Sequence, residues 1–240
     1  MSTSVKLGTN RTGTQTSPKM TEEQIEATRL FRPDVEGDAS RITEERIKFM
    51  QEAEPLGTVP IPATAKGMLK SGLDKMMGKS PELLVDKLGE RLAYERTGVR
   101  LYEAFIAKAI GAHDADPELV PMLREIQEQE IEHMTLLRDA IETLGCDPTA
   151  VTPCADVTGV MAMGIMQTLT DPRTNLMQCL NAMLTIELTD NAAWEMLIDL
   201  AQQANHPNIA ASFEKALRQE NVHLDRIKSV MRNDLKAQMS

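Results

Sequence analysis

From Ser80 onward the chain reads as four long stretches of helical apolar spacing set off by regular punctuation. Ser80-Pro81, Asp116-Pro117, Asp171-Pro172 and His206-Pro207 each put proline at a first helical position, where its missing N–H is no loss. In the first three the preceding Ser or Asp is an N-cap candidate. These signals predict helices over 81–110, 117–144, 172–204 and 207–237. Gly111 and Gly145 end the first two, where a left-handed residue is cheapest. Between the second and third, ADVTGVMAMGIMQTLT carries a Met-rich helical pattern, so that connection is a long crossover rather than a tight turn. The expected fold is all-α: an antiparallel four-helix bundle over 81–240 with a helical crossover between its second and third helices.

Residues 1–80 follow a different pattern. The opening stretch to Pro18 is rich in Ser, Thr, Gly and Asn and reads as extended or disordered. Short helical candidates follow: a capping box of Thr21 with Gln24 ahead of IEATRLF, then TEERIKFMQEA from Thr43, then ATAKGMLKSGLDKMM. The segment is expected to be an arm that packs on the bundle or on a neighbouring subunit, the latter making a homodimer.

Composition narrows the function classes. With 26 Lys plus Arg against 36 Asp plus Glu in 240 residues, no phosphate-neutralising surface is evident and a nucleic-acid partner is not expected. Aromatics make up 3% while Met reaches 16 residues, which suits helix packing better than sheets. Cys146, Cys154 and Cys179 form no C-x-x-C pair for zinc or a rubredoxin-type iron, and read as free thiols in a reducing compartment. The start lacks a secretory apolar core and no apolar run is long enough to span a bilayer, so a cytoplasmic protein with no membrane partner is expected.

An internal repeat adds chemistry to this frame. LGERLAYERTGVRLYEAF at 88–105 aligns without gaps to LNAMLTIELTDNAAWEML at 180–197, setting Glu95 on Glu187, Tyr102 on Trp194 and Glu103 on Glu195. LREIQEQEIEHMTLLRDAI at 123–141 aligns to FEKALRQENVHLDRIKSVM at 213–231, setting Gln129-Glu130 on Gln219-Glu220 and His133 on His223. Each Glu-x-x-His places a carboxylate and an imidazole on one helix face. Flanking apolar residues turn that face inward: Leu92, Val99 and Phe105 about Glu95, and Ile126, Leu137 and Ile141 about Glu130 and His133. Leu184, Leu188 and Leu197 flank Glu187, and Leu217, Leu224 and Ile227 flank Glu220 and His223. Four carboxylates on buried stripes would repel one another and cost several kcal/mol each, a cost two divalent cations relieve.

One Glu from each of two helices and Glu-x-x-His from each of the other two is the ligand set of di-iron and di-manganese carboxylate bundles. On these residues the stretch 81–237 resembles the ferritin-like superfamily, on its rubrerythrin and bacterioferritin side. The resemblance implies Glu95 and Glu187 as single-helix metal ligands, Glu130 and Glu220 as bridging carboxylates, and His133 and His223 as terminal nitrogen ligands. It implies two iron ions, with manganese open on donor chemistry alone. Asp190, three residues after Glu187, is either an extra ligand, as in rubrerythrins, or an acceptor that orients His133 or His223. Gly98 either leaves room for oxygen or peroxide or allows close helix packing. Tyr102, Trp194, Glu103 and Glu195 read as core packing with a buried salt bridge, a radical or relay site being the sharper alternative. His113 and His206 read as surface residues.

The resemblance implies an oxidoreductase that uses hydrogen peroxide or dioxygen to oxidise Fe(II) or an external electron donor, like rubrerythrin or ferritin. The chain departs from rubrerythrins in lacking the cysteine pairs of a rubredoxin centre, so its electron donor must be external. Oxygenation of an organic substrate, manganese catalase chemistry, iron storage and a non-catalytic interaction bundle are the alternatives.

Overall fold

Four long helices carry every residue of the repeat. The computed structural model describes residues 8–9, 12–35, 37–76, 80–112 and 115–239, with the side chains of 73–76 set aside; His113 lies outside the described residues. Two compact units divide the chain at Pro55/Leu56. In the first, α1 (Pro18–Leu30) and α2 (Ser40–Glu52) bury none of their residues. Helix α1 begins at Pro18, three residues before the expected Thr21 cap, and the Thr21 hydroxyl donates instead to the Ser17 carbonyl. Likewise α2 starts at Ser40, held by Asp38, which accepts from the Ser40 amide and hydroxyl.

The second unit holds α3 (Ala65–Met76), α4 (Pro81–Gly111), α5 (Leu119–Thr143), α6 (Pro153–Met161), α7 (Met163–Thr170), α8 (Leu176–Gln203) and α9 (Pro207–Met239). Residues 56–76 and Ser80, expected from the sequence to be part of the arm, belong to this unit. Helices α4 and α5 form one hairpin and α8 and α9 the other; α4 packs on α8 and α5 on α9, closing a four-helix bundle. The crossover is two short helices, α6 and α7, laid along α4. No strand occurs among the described residues, and no described helix is long and apolar enough to cross a membrane.

Helix starts follow their local chemistry more than the proline punctuation. Pro81, Pro153 and Pro207 do open helices. The Asp171-Pro172 signal fails: Asp171 instead accepts from the Arg173 amide and guanidinium in a turn, and α8 starts under a capping box of Asn175 and Gln178. Pro117 likewise precedes α5, which begins at Leu119, while the Asp116 carboxylate accepts from the Glu118 amide.

Two helices end in the same way. Gly145 (φ 79°) and Asn205 (φ 63°) take the left-handed conformation, and the next residue's amide reaches back to Ile141 and Ala201 respectively. Gly111 ends α4 without positive φ, since Ala112 leaves in extended conformation. At Gly145 the backbone also meets the start of α3: a Cβ there would lie 2.5 Å from Thr64 Oγ1 and 2.8 Å from Gly67 Cα. Gly145→Ala is therefore expected to cost at least about 1 kcal/mol, from its left-handed φ before any steric contact is added. A urea unfolding curve checks this, and an unchanged midpoint would contradict it.

The core is two apolar clusters stacked along the bundle. Tyr102, Phe105, Leu123, Ile126, Met183 and Ile227 anchor one; Leu88, Leu137, Trp194, Leu197, Ile198 and Phe213 anchor the other. Burial of such side chains at about 1.5–3 kcal/mol each drives the bundle together. Leu188, read as inward from its place beside Glu187, is 49% exposed.

Candidate metal centre

A layer of charged side chains accompanies the two apolar clusters in the bundle interior. Glu95 from α4, Glu130 and His133 from α5, Glu187 from α8, and Glu220 and His223 from α9 are each at most 2% exposed. The structure brings all six together in two overlapping groups. Glu95, Glu130, His133 and Glu220 form one and Glu130, Glu187, Glu220 and His223 the other, with one donor atom per residue lying within 4.8 Å of the rest of its group. Glu130 and Glu220 belong to both groups and the other four to one each. Pseudo-two-fold symmetry from the repeat produces this arrangement: each group draws one single-helix Glu, one His and the two shared carboxylates.

The donor atoms have too few protein partners. Both oxygens of Glu95, one each of Glu130, Glu187 and Glu220, and His133 Nδ1 are buried with no hydrogen-bond partner. Buried polar atoms are ordinarily satisfied, and an unpaired one costs about 1–3 kcal/mol. Orphaned atoms face one another in the first group, where His133 Nδ1 lies 2.7 Å from Glu220 Oε1 and 3.8 Å from Glu95 Oε2; in the second, His223 Nδ1 lies at hydrogen-bond distance from Glu220 Oε2, 3.2 Å, and 3.5 Å from Glu130 Oε1. Four carboxylates and two imidazoles with lone pairs turned inward fit a pair of divalent cations of mixed oxygen and nitrogen preference.

The outer edge of each imidazole is held by the opposite hairpin. His223 Nε2 lies 2.7 Å from Gln129 Oε1, and His133 Nε2 lies 3.2 Å from Gln219 Oε1. An amide oxygen only accepts, so each Nε2 carries the proton and each Nδ1 keeps its lone pair for the centre. The sequence displayed both glutamines in repeat-related positions, but their role emerges only when the hairpins meet. Gln129→Leu is expected to lower metal affinity roughly 10–100-fold with the helical fold retained. A competitive chelator titration measures it, and unaltered affinity would remove the glutamine's role.

Arg91 was not anticipated. It is 3% exposed, with Nη1 2.8 Å from Asp190 Oδ1 and Nε 3.3 Å from Glu95 Oε1, and its guanidinium lies 3.9 Å above the Tyr94 ring. Asp190 is thus the partner of a buried arginine and lies outside both donor groups. The sequence did carry a signal, since position 91 falls four residues before Glu95 on the same face. Gly98 makes room for Glu130 itself, because a Cβ there would lie 3.0 Å from Glu130 Oε2. The Tyr102 hydroxyl donates a hydrogen bond to Glu187 Oε1, and Trp194 stands edge-on to the His133 ring at 5.6 Å between centroids. Glu103 and Glu195 are exposed, so the expected buried salt bridge does not form. His206 is half-buried, with Nε2 3.2 Å from Lys70 Nζ.

Burial dominates the electrostatics. It pushes Glu95 up to about 8, with the Asp190 charge adding and Arg91 opposing. Burial and the neighbouring carboxylates hold Glu130 and Glu187 well above the usual range, and burial and Asp190 do the same for Glu220. His223 is pushed down to about 3, first by burial and then by the charges of His133 and Arg226. An acid whose pKa rises on folding gains a proton in the folded state, so its contribution to stability is lost as pH climbs from 4.5 through about 8. The depressed His223 acts oppositely, but only below its unfolded value of 6.5. Metal-free protein is therefore expected to lose thermal stability between pH 6.5 and about 8, whereas cations would hold the carboxylates ionised and flatten the slope. Calorimetry of both forms checks this; a metal-free Tm that rises over that window would contradict it.

Comparison with known proteins agrees with the fold. A family model described as ubiquinone biosynthesis protein COQ7 matches residues 80–186, which take in α4, α5, the crossover and the first part of α8. No curated protein matches the chain. A solved chain from Bacillus anthracis str. Ames, described among ferritin like, diiron-carboxylate proteins, superposes with a TM-score of 0.50 at 18% identity, covering 62% of this chain and 94% of its own. At that identity the likeness speaks for the fold alone, and the fold is ferritin-like.

Proposed function

We propose that this bundle of ferritin-like fold holds two iron ions and uses them to activate dioxygen for the oxidation of an organic molecule. Glu95 and His133 would serve one ion, Glu187 and His223 the other, and Glu130 and Glu220 both. The observation that carries the proposal is the convergence of these six buried side chains, five of which (Glu95, Glu130, His133, Glu187 and Glu220) keep a donor atom unsatisfied. Iron is favoured over manganese by the diiron-carboxylate description of the solved neighbour. An organic substrate is favoured over peroxide scavenging, Fe(II) oxidation or storage by the biosynthetic family model over residues 80–186.

Bound there, an iron pair supplies electrons to dioxygen. The chain's own residues set the conditions. Gln129 and Gln219 hold the imidazoles by Nε2, and Tyr102 holds Glu187 by its Oε1. The apolar clusters keep water from the centre, which strengthens every charge interaction in it. Inserting one oxygen atom into a C–H bond takes two electrons from the substrate and two from a donor, the second oxygen leaving as water. With no cysteine-ligated centre in the chain, that donor is an external partner.

Protein loaded with ferrous iron under anaerobic conditions and then mixed with either dioxygen or hydrogen peroxide tests the reading. Dioxygen consumption in proportion to bound iron, with the iron retained, is expected. Reaction with peroxide alone, or loss of the iron as a ferric mineral, would overturn it.

A further inference from the structure

Helices α1 and α2 of the first compact unit each carry an apolar face open to solvent. Met20, Ala27 and Phe31 recur at i, i+7 and i+11 along α1 with Leu30 beside them. Ile42, Phe49 and Ala53 recur at the same spacing along α2, with Met50 beside them. None of these residues is buried; Phe31 is 82% exposed and Phe49 65%. Among the described residues the two helices do not pack on one another. A lone helix of 13 residues is marginal in water, and most helical stability in proteins comes from covering an amphipathic face. Both faces therefore call for a partner. The exposed parts of Met20, Leu30, Phe31, Ile42, Phe49 and Met50 come to roughly 800 Å², about what one partner gives a standard interface.

Charge decides which partner. Arg41, Glu45, Lys48 and Glu52, at steps of four, three and four, form one flank of the α2 face. None of the four is ion-paired among the described residues, whereas α1 pairs Lys19 with Glu23 and Arg29 with Glu26. The order basic, acidic, basic, acidic is complementary to its own reverse. In an antiparallel pair of α2 helices with a two-fold axis near Arg46 and Ile47, Arg41 of one copy faces Glu52 of the other, and Glu45 faces Lys48. The same register sets Ile42 against Phe49 and Met50 of the other copy, so the charged and apolar matches agree. Arg46, also on this face, can lay its stem over apolar surface and keep its charge in water. A lipid surface fits less well, since α2 carries three basic and three acidic residues and is not drawn to anionic headgroups. We propose that α2 pairs antiparallel with α2 of a second copy of this chain, α1 adding its apolar face, to give a two-fold symmetric dimer joined through the arms. The proposal stands apart from any reading of the metal centre.

Sedimentation equilibrium of the full chain is expected to show a monomer and dimer in exchange, with Kd in the micromolar range. Arg41→Glu with Lys48→Glu makes all four facing pairs acidic, and Glu45→Lys with Glu52→Lys makes them all basic. Each doubly substituted chain is expected to dimerise at least about tenfold more weakly than the parent. Mixed in equal amounts, the two chains are expected to regain the parent's association, because every facing pair is again opposite in sign. Each chain shifts by four charges from the parent's −10, so both stay acidic and bulk attraction does not supply the recovery. Phe49→Ser is expected to leave a monomer whose bundle melts at the parent's temperature. A full chain that stays monomeric at about 100 μM, a dimer that survives either charge reversal, or a mixture that stays weak would overturn the proposal. A monomer whose arm resists trypsin would mean that the faces close within one chain instead, and a monomer that floats with phosphatidylcholine and phosphatidylglycerol vesicles would assign them to lipid.

Discussion

Replacing Arg91 with methionine is expected to lower the stability of the protein by about 3–5 kcal/mol, the usual cost of leaving a buried charge without its partner. Methionine fills much of the same volume, so the loss is electrostatic rather than a cavity effect. Asp190, 1% exposed, would keep its burial and lose its ion pair, and Glu95 would lose the guanidinium 3.3 Å from its Oε1. Double replacement of Arg91 and Asp190 by apolar residues should recover most of the loss, because the unpaired charge goes too. Urea unfolding of the single and double variants measures both. If the single variant unfolds at the same midpoint as the parent, the ion pair contributes nothing and the picture of a balanced charged layer is wrong.

The second large effect concerns the shared carboxylates. Removing Glu220, which belongs to both donor groups, is expected to abolish binding of both metal ions, whereas Glu95→Ala or Glu187→Ala should leave about one per chain. Metal analysis of protein from iron-supplemented cultures distinguishes these. Equal losses from Glu220→Ala and Glu95→Ala would mean that the two groups are not separate sites. The variants are themselves expected to be stable when metal-free, since each deletion relieves crowding among carboxylates whose charged forms burial disfavours.

Much of the bundle and the six converging side chains could be seen in the sequence, because both depend on spacing within a helix. Glu-x-x-His reports a helix face directly, and its recurrence in the second hairpin places two such faces at equal depth. What the sequence hid depends on contacts between helices. Gln129 and Gln219 stand in plain view beside the shared glutamates, yet each acts on the histidine of the other hairpin. Arg91 looks like any charge on a long helix until α8 brings Asp190 against it. Helix starts were misread where a side chain had a better local partner: Asp171 turns back to Arg173 instead of capping α8, and Asn175 with Gln178 takes that place. Leu188 was assigned inward because it adjoins Glu187, but neighbours in a helix point about 100° apart.

Diffraction at the iron absorption edge from crystals of the loaded protein tests the central claim most directly. Two anomalous peaks per chain are predicted, one bounded by Glu95, Glu130, His133 and Glu220 and the other by Glu130, Glu187, Glu220 and His223. A single peak, or none at these side chains in protein that carries iron, would contradict a two-iron centre in this bundle.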